Sequence, residues 1–437
     1  MFGATVTPSS PANMKSTSSR LVSIKRLIVS NFKSFTELDV NLGAFNVLIG
    51  ANASGKSNFV NIFRFLQDAY TYGIENAVSM QGGIEFLRNI NSEAGQNISI
   101  EVFFDYPEFR TLLGHIKGEI TGLVTSEATY KLVIKCGKSS QRFSVVEERL
   151  SQKGEFVQLK NFPRRDLQEK LVGRGEIIYA IIGGKSKTDI KLEEGQELDL
   201  EDKGRLLAPI ERFTSKNPIL RDPFFTSALG GLCSIYDFDP KLPKKATPIT
   251  GKAELEEDGS NLAIVLQRIV RNKEKRRQFS NLVANLLPFI DAVDIEKTAD
   301  RSLIFKLKET YFRRRYLPAS SLSDGTIHIA ALIVALYFGS ARVTIIEEPE
   351  RNIHPYLIAQ LVNMMKDAAR NKQLVVTTQN PEVVKHAGLD NLLCVTRGSN
   401  GFSNITRLSE ESEVKTFLQH EVGIETLYVQ NIIGSPK

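Results

Sequence analysis

Residues 50–57 read GANASGKS, which fits G-x-x-x-x-G-K-[ST] at every fixed position. The stretch follows the apolar run FNVLIG and leads into NFVNIFRFLQDAY, where Phe59, Ile62, Phe63 and Leu66 recur at helical spacing. A buried strand, a glycine turn and a helix N-terminus are therefore expected in succession. Backbone N–H groups in such a turn converge on phosphate oxygens. Gly50, Ala51, Asn52, Ala53, Ser54, Gly55 and Asn58 are the expected cradle. Lys56 is expected to reach the β/γ-phosphates of ATP, and the Ser57 hydroxyl to ligate Mg²⁺. The competing reading is an ordinary glycine-rich turn.

A Mg²⁺ held by a serine needs a nearby acidic group. VTIIEEPE, residues 343–350, is an apolar strand ending in consecutive carboxylates. Glu347 at the strand end can supply the metal ligand, and Glu348, pointing differently, can polarise an attacking water. Alone, two glutamates after a strand describe a solvated strand end equally well.

The last third alternates apolar strands with amphipathic helices (IHIAALIVALYF, ARVTIIEE, HPYLIAQLVNMMKDAARN, QLVVTTQ, PEVVKHAG, NLLCVTR). That alternation predicts a parallel sheet covered on both faces, shared by NVLIG, RVTIIEE and KQLVVTT. From about 98 to 250 the pattern changes to strands and turns, including FSVVEERL and FVQLK as separate strands. EEDGSNLAIVLQRIV then predicts a capped helix starting near Ser260. The expected division is a disordered extension (1–20), an ATPase lobe (21–105), an inserted β-rich and helical region (106–305) and a second ATPase lobe (306–437).

No run reaches the length of a transmembrane helix, and residues 1–20 have no apolar signal region. Cys136, Cys233 and Cys394 are far apart and suggest neither a metal site nor a disulfide framework, so a cytoplasmic setting is expected. The net charge of +6 permits a nucleic-acid partner. The excess is clustered in RNKEKRRQF, YFRRRY, NFPRR and PKK, although such runs also form ordinary solvated faces.

SSLSDGTI, residues 320–327, precedes a helix about twenty residues upstream of the carboxylate-ended strand. With Ser323 or Asp324 as N-cap it is a plain helix start. Together with GANASGKSN and IIEEPERNIHP, however, it resembles the signature of ABC-type ATPases. The chain resembles the SMC, RecF and OLD branch, and more closely the short AAA-family ATPases of bacteria and archaea. NFKSFTELDVNLGAFNVLIG, DGSNLAIVLQRI and GIETLYVQNIIG extend the likeness, whereas residues 105–250 are weakly covered. The resemblance implies a P-loop NTPase of ABC-ATPase type: a mostly parallel α/β sheet flanked by helices, an N-terminal antiparallel sheet, and a β-rich and helical insertion. It also implies a head-to-tail dimer, in which Ser323 and Gly325 reach the ATP bound by a second copy. Asn31, Lys33 and Ser34 in SNFKSF match the turn that packs near the nucleotide, and Gln81 matches a residue contacting Mg²⁺ or water. A surface turn explains these four residues as well.

One departure concerns hydrolysis. Where the family has a histidine after QLVVTT, this chain has Gln379, which donates a hydrogen bond but cannot relay a proton. His354 and His386 are not at that spacing and are expected to be ordinary helix or surface residues. Slow turnover is therefore expected, assisted by Glu348 and Gln379. The expected target is DNA in repair, maintenance or defence. The alternative is a sensor that controls a separate effector, such as a nuclease or toxin encoded nearby in antiphage defence. A fused Toprim nuclease is not expected, because 56 residues follow Pro381 without a paired-carboxylate pattern. A transporter subunit is disfavoured by the resemblance to the SMC/RecF side.

Overall fold

The computed structural model describes residues 22–89, 91, 95–116, 119–137, 142–160, 168–193, 233–249, 252–312, 315–419, 423–430 and 432–433. The expected 1–20 extension and the basic stretch NFPRR lie outside them.

In chain order, strands β1 (Ser23–Phe32), β2 (Phe35–Asn41) and β3 (Phe45–Ile49) lead into helices α1 (Lys56–Tyr72), α2 (Ile74–Met80) and α3 (Ile84–Leu87). Five strands follow: β4 (Ile98–Ile116), β5 (Glu119–Cys136), β6 (Phe143–Lys160), β7 (Gln168–Ile182) and β8 (Lys185–Leu192). Then come β9 (Cys233–Tyr236), β10 (Thr247–Pro248), α4 (Leu262–Arg271), α5 (Lys273–Leu286), β11 (Ile290–Lys297), β12 (Ser302–Glu309) and β13 (Leu317–Pro318). The last third holds α6 (Asp324–Tyr337), β14 (Val343–Glu347), α7 (Pro355–Ala368), β15 (Gln373–Thr377), α8 (Pro381–Ala387), β16 (Leu392–Arg397), β17 (Ser403–Arg407), α9 (Ser412–Gln419) and α10 (Ile424–Val429).

The expected shared sheet is present. Its order is β17-β16-β3-β15-β14-β9, parallel except for the β16–β17 pair. Alternate side chains feed two cores. Leu48, Ile345, Val375 and Leu393 pack with α1 and the antiparallel sheet. Val47, Ile346, Val376 and Leu392 pack with α6, α7 and α8. Two-sided burial explains why these strands read as continuous apolar runs. Helix α6 is buried from Thr326 to Leu336, as a helix apolar on all sides must be. No helix among the described residues is long and apolar enough to cross a membrane.

The β-rich stretch does not form a detached unit. β4 to β8 extend the N-terminal hairpin into a seven-stranded sheet of order β2-β1-β4-β5-β6-β7-β8. FSVVEERL and FVQLK, expected as two strands, are one strand, β6, running straight through SQKG. Gly154 does not turn the chain. It pairs with Gly175 across the ladder, where a Cβ on Gly154 would overlap the Val124 carbonyl of β5. Residues 233–236, within the expected 106–305 region, form β9 at the edge of the parallel sheet, beside β14.

The helix expected near Ser260 starts at Leu262. Asn261 caps no helix N–H. Its amide donates to the carbonyls of Lys252 (3.1 Å) and Glu254 (2.7 Å), while its oxygen accepts from Glu256 N (2.8 Å). It therefore pins the preceding loop.

Candidate nucleotide site

The C-terminal ends of parallel strands gather the motif residues on one edge, the usual place for a ligand in such a sheet. β3 ends at Ile49, just before Gly50, β14 at Glu347, β15 at Thr377 and β9 at Tyr236. The β15–β14 register sets Glu347 opposite Thr377, and the β14–β9 register brings Asp237 level with Glu347.

Residues 51–53 of the loop are exposed, whereas Ser54, Gly55 and Lys56 are buried. Gly55 has φ 121°, and a Cβ there would overlap Ser403 Oγ, so no other residue fits without displacement. Ala53 takes φ 59°, a strained value for a residue with a side chain. Lys56 Nζ donates to the carbonyls of Gly50 (2.7 Å) and Ala51 (2.9 Å). Burial lowers its pKa, partly offset by Glu348, Cys394 and Glu347. An ammonium resting on two carbonyls at the loop mouth can turn onto phosphate oxygens. Ser54 Oγ is buried and has no hydrogen-bond partner among the described residues, which suits a site completed by a ligand.

Ser57 Oγ lies 3.4 Å from Glu347 Oε2. Two cis ligands of a Mg²⁺ with bonds of about 2.1 Å stand about 3 Å apart, so this pair fits such an ion. Among the described residues no group of three or more His, Cys, Asp and Glu could hold a metal alone. An ion here would need phosphate oxygens as well, which is how Mg²⁺ is usually bound in such sites. Burial raises the Glu347 pKa, with Asp237 raising it further, and Arg64, 4.0 Å away, opposing the shift.

Glu348 has φ 44° and its N–H donates to Thr377 O (2.9 Å), which turns its side chain away from that of Glu347. Gln379 Nε2 donates to Glu348 Oε1 (3.2 Å). Arg351 donates from Nε (3.3 Å) and Nη2 (3.1 Å) to Glu348 Oε2, and from Nη1 to Asp237 Oδ1 (2.9 Å). Behind them Thr378 Oγ1 donates to Glu350 Oε1 (2.5 Å).

The other sequence-expected residues divide. Ser34 braces the loop: Asn58 Nδ2 donates to its Oγ (2.8 Å), and Ser403 Oγ lies 2.8 Å from it and 2.6 Å from Ser54 O. Asn31 accepts from Asn89 N (3.2 Å) and donates to Gln96 O (3.0 Å), fixing the turn itself. Lys33, at φ 47°, donates its N–H to Leu87 O, and its pKa is lowered by burial. Gln81 ends α2 and forms no side-chain hydrogen bond with Ser57 or Glu347. Ser323 is an exposed N-cap whose Oγ accepts from Thr326 N (3.1 Å). Asp324 pairs with Lys244 of the PKK run (2.5 Å). His354 caps α7, and His386 lies 3.7 Å from Glu382.

Sequence reasoning missed several contacts, Ser403 and Arg64 among them. Arg351 lies inside IIEEPERNIHP, and Tyr428 inside GIETLYVQNIIG. Asp237 sits more than a hundred residues from both Ser57 and Glu347. Arg397 donates to Ala53 O (3.2 Å), and Tyr428 donates its hydroxyl to Gly50 O (3.2 Å). No local pattern marks Asp237 or Arg397.

A family described as "AAA domain, putative AbiEii toxin, Type IV TA system" matches residues 45–175 and 188–385. A search of curated proteins finds no significant match. Among solved structures, the chain is similar to an Smc head bound to the C-winged helix domain of ScpA: 15% identity, 89% of this chain and 99% of that one covered, TM-score 0.46. An Smc head with an extended coiled coil, bound to the C-terminal domain of ScpA derived from Pyrococcus furiosus, gives 13%, 92%, 100% and 0.45. The SMC head from Thermotoga maritima gives 14%, 88%, 98% and 0.38.

Proposed function

Because the chain belongs to this AAA-domain family, an ATPase fold that binds nucleotide, we propose that it binds MgATP, hydrolyses it slowly, and forms a head-to-tail dimer with ATP at the interface. The observation that carries the reading is the meeting of Lys56, Ser57, Glu347 and Glu348 at one edge of the parallel sheet, beyond β3 and β14 on either side of β15, with Ser57 Oγ 3.4 Å from Glu347. In this reading the residues 50–58 loop cradles the phosphates, and Lys56 leaves the Gly50 and Ala51 carbonyls for the β/γ-phosphates. Ser57 and Glu347 would hold Mg²⁺, with Gln81 as a further candidate ligand. Glu348 takes the proton of an attacking water that Gln379 helps to place. Asn31, Lys33 and Ser34 shape the nucleotide side of the loop. Ser323 and the Gly325 backbone meet the partner's γ-phosphate.

DNA is the proposed target. Lys273, Lys275, Arg276 and Arg277 are exposed on the first turns of α5, a surface suited to phosphate neutralisation. ATP affinity, turnover and ATP-dependent change in mass, measured for wild type and Lys56→Ala, test the site. Salt-dependent DNA binding, lost on reversing those four charges, tests the target. ATP-dependent capture of a neighbouring-gene protein without DNA binding would shift the reading to an effector-controlling sensor.

A further inference from the structure

We propose that Arg351, anchored by Asp237, is a positioning residue for hydrolysis: it occupies one oxygen of Glu348 and leaves the other to hold water. The inference rests on Glu348 being the base proposed above. A carboxylate oxygen offers about two lone-pair sites. Glu348 Oε2 accepts from both Nε and Nη2 of Arg351. Its acceptor capacity is filled by one rigid guanidinium. Among the described residues, Oε1 accepts from Gln379 Nε2 alone. The remaining acceptor site therefore lies on Oε1, beside the Gln379 amide. A water there would face an acceptor and an amide on the same side.

The anchoring is specific in geometry. Asp237 follows β9 directly, and its carboxylate takes the third Arg351 donor, Nη1, at 2.9 Å. Asp237 N–H donates to Glu257 O and Asp239 N–H to Asp258 O, so the carboxylate hangs from a strand-like segment held at both ends. Phe238 between them packs edge-on against His328 of the buried helix α6. Arg351 is thus held between Asp237, just after β9, and the Glu348 side chain. Planar, forked donors suit this task, and a lysine could satisfy only part of it. Arg351 and Asp237 are themselves half-exposed, and ion pairs of that kind contribute little to fold stability. Their removal is expected to leave the fold intact and to act on the geometry of the base.

The test uses the full chain, with a fluorescent ATP analogue for affinity and phosphate release for kcat and KM. Arg351→Ala is expected to lower kcat roughly 10–100-fold, the usual cost of a misplaced reacting group, with nucleotide affinity within about twofold. Arg351→Lys should recover part of that loss. Asp237→Ala should lower kcat in the wild-type background but add nothing in the Arg351→Ala background, with half-saturating Mg²⁺ unchanged. An Arg351→Ala protein with normal kcat overturns the inference and leaves the ATPase reading standing. Additive losses, or an Asp237→Ala effect confined to half-saturating Mg²⁺, also overturn it by assigning Asp237 to the ion. Wild type that binds no nucleotide instead defeats the ATPase reading, and wild type that binds without turnover defeats the role of Glu348 and this inference together.

Discussion

Gly325 lies against the carbonyl oxygen of Asn352, so close that a Cβ at position 325 would overlap it. The glycine of SSLSDGTI is thus required by packing within one chain, before any partner is considered. Asn352, at φ 62°, belongs to the same turn as Glu348 and Arg351. The start of α6 and the turn carrying the proposed base are in direct contact. Gly325→Ala should destabilise the protein by about 1–3 kcal/mol, the usual cost of overpacking, measured by urea unfolding. A stability equal to wild type would show that the turn yields freely.

Ser323 distinguishes the two readings of the motif. As an N-cap, its replacement by alanine should cost about 1 kcal/mol without effect on turnover per folded molecule. As a contact to a partner's nucleotide, Ser323→Arg should keep ATP binding and lose ATP-dependent dimerisation and turnover. Mixing Ser323→Arg with Lys56→Ala protein should restore part of the activity, because one mixed site combines an intact P-loop with an intact signature. Normal turnover by Ser323→Arg alone would reduce the stretch to a helix start.

The two glutamates should separate on substitution. Glu348→Gln is expected to slow hydrolysis roughly 10²–10⁴-fold and to trap the ATP-bound form, seen as retained nucleotide after gel filtration. Glu347→Gln should instead raise the Mg²⁺ concentration needed for ATP binding. Exchanged phenotypes would mean exchanged roles.

Gln379→His tests the departure from the family pattern. An imidazole can still donate to Glu348, so nucleotide affinity should not change, and hydrolysis should be kept or raised. A marked loss in single-turnover rate would show that the amide is itself required at the Glu348 Oε1 edge.

His328 gives a pH dependence. Burial lowers its pKa to about 4 in the folded state, while its Nε2 lies 3.0 Å from Pro349 O. The unfolded imidazole titrates near 6.5, so on acidification the unfolded chain takes up the proton first and stability falls between about pH 6.5 and pH 4. From pH 7 to pH 4.5 the loss from this group should be about 2–3 kcal/mol. His328→Gln should lose correspondingly less over that range in urea titrations. Identical losses in both proteins would remove His328 as the cause.

The sequence by itself determined the parts whose chemistry is local. The turn that carries Lys56 and Ser57 was legible because glycine spacing and a following helix mark a strand, a turn and a helix start within eight residues. The parallel sheet was legible because β3, β14 and β15 are buried on both faces and so are apolar throughout. Tertiary structure decided the rest. SQKG resembled a turn, yet Gly154 lies mid-strand because neighbouring backbones approach too closely there for a side chain. Asn261 resembled part of a helix cap, yet three loop groups take its hydrogen bonds. Asp237 carried no signal, because its place beside Glu347 is set by the pairing of β9 with β14, two strands more than a hundred residues apart. A side chain positioned by strand register across such a distance leaves no periodicity in its own neighbourhood, so only the folded sheet places it.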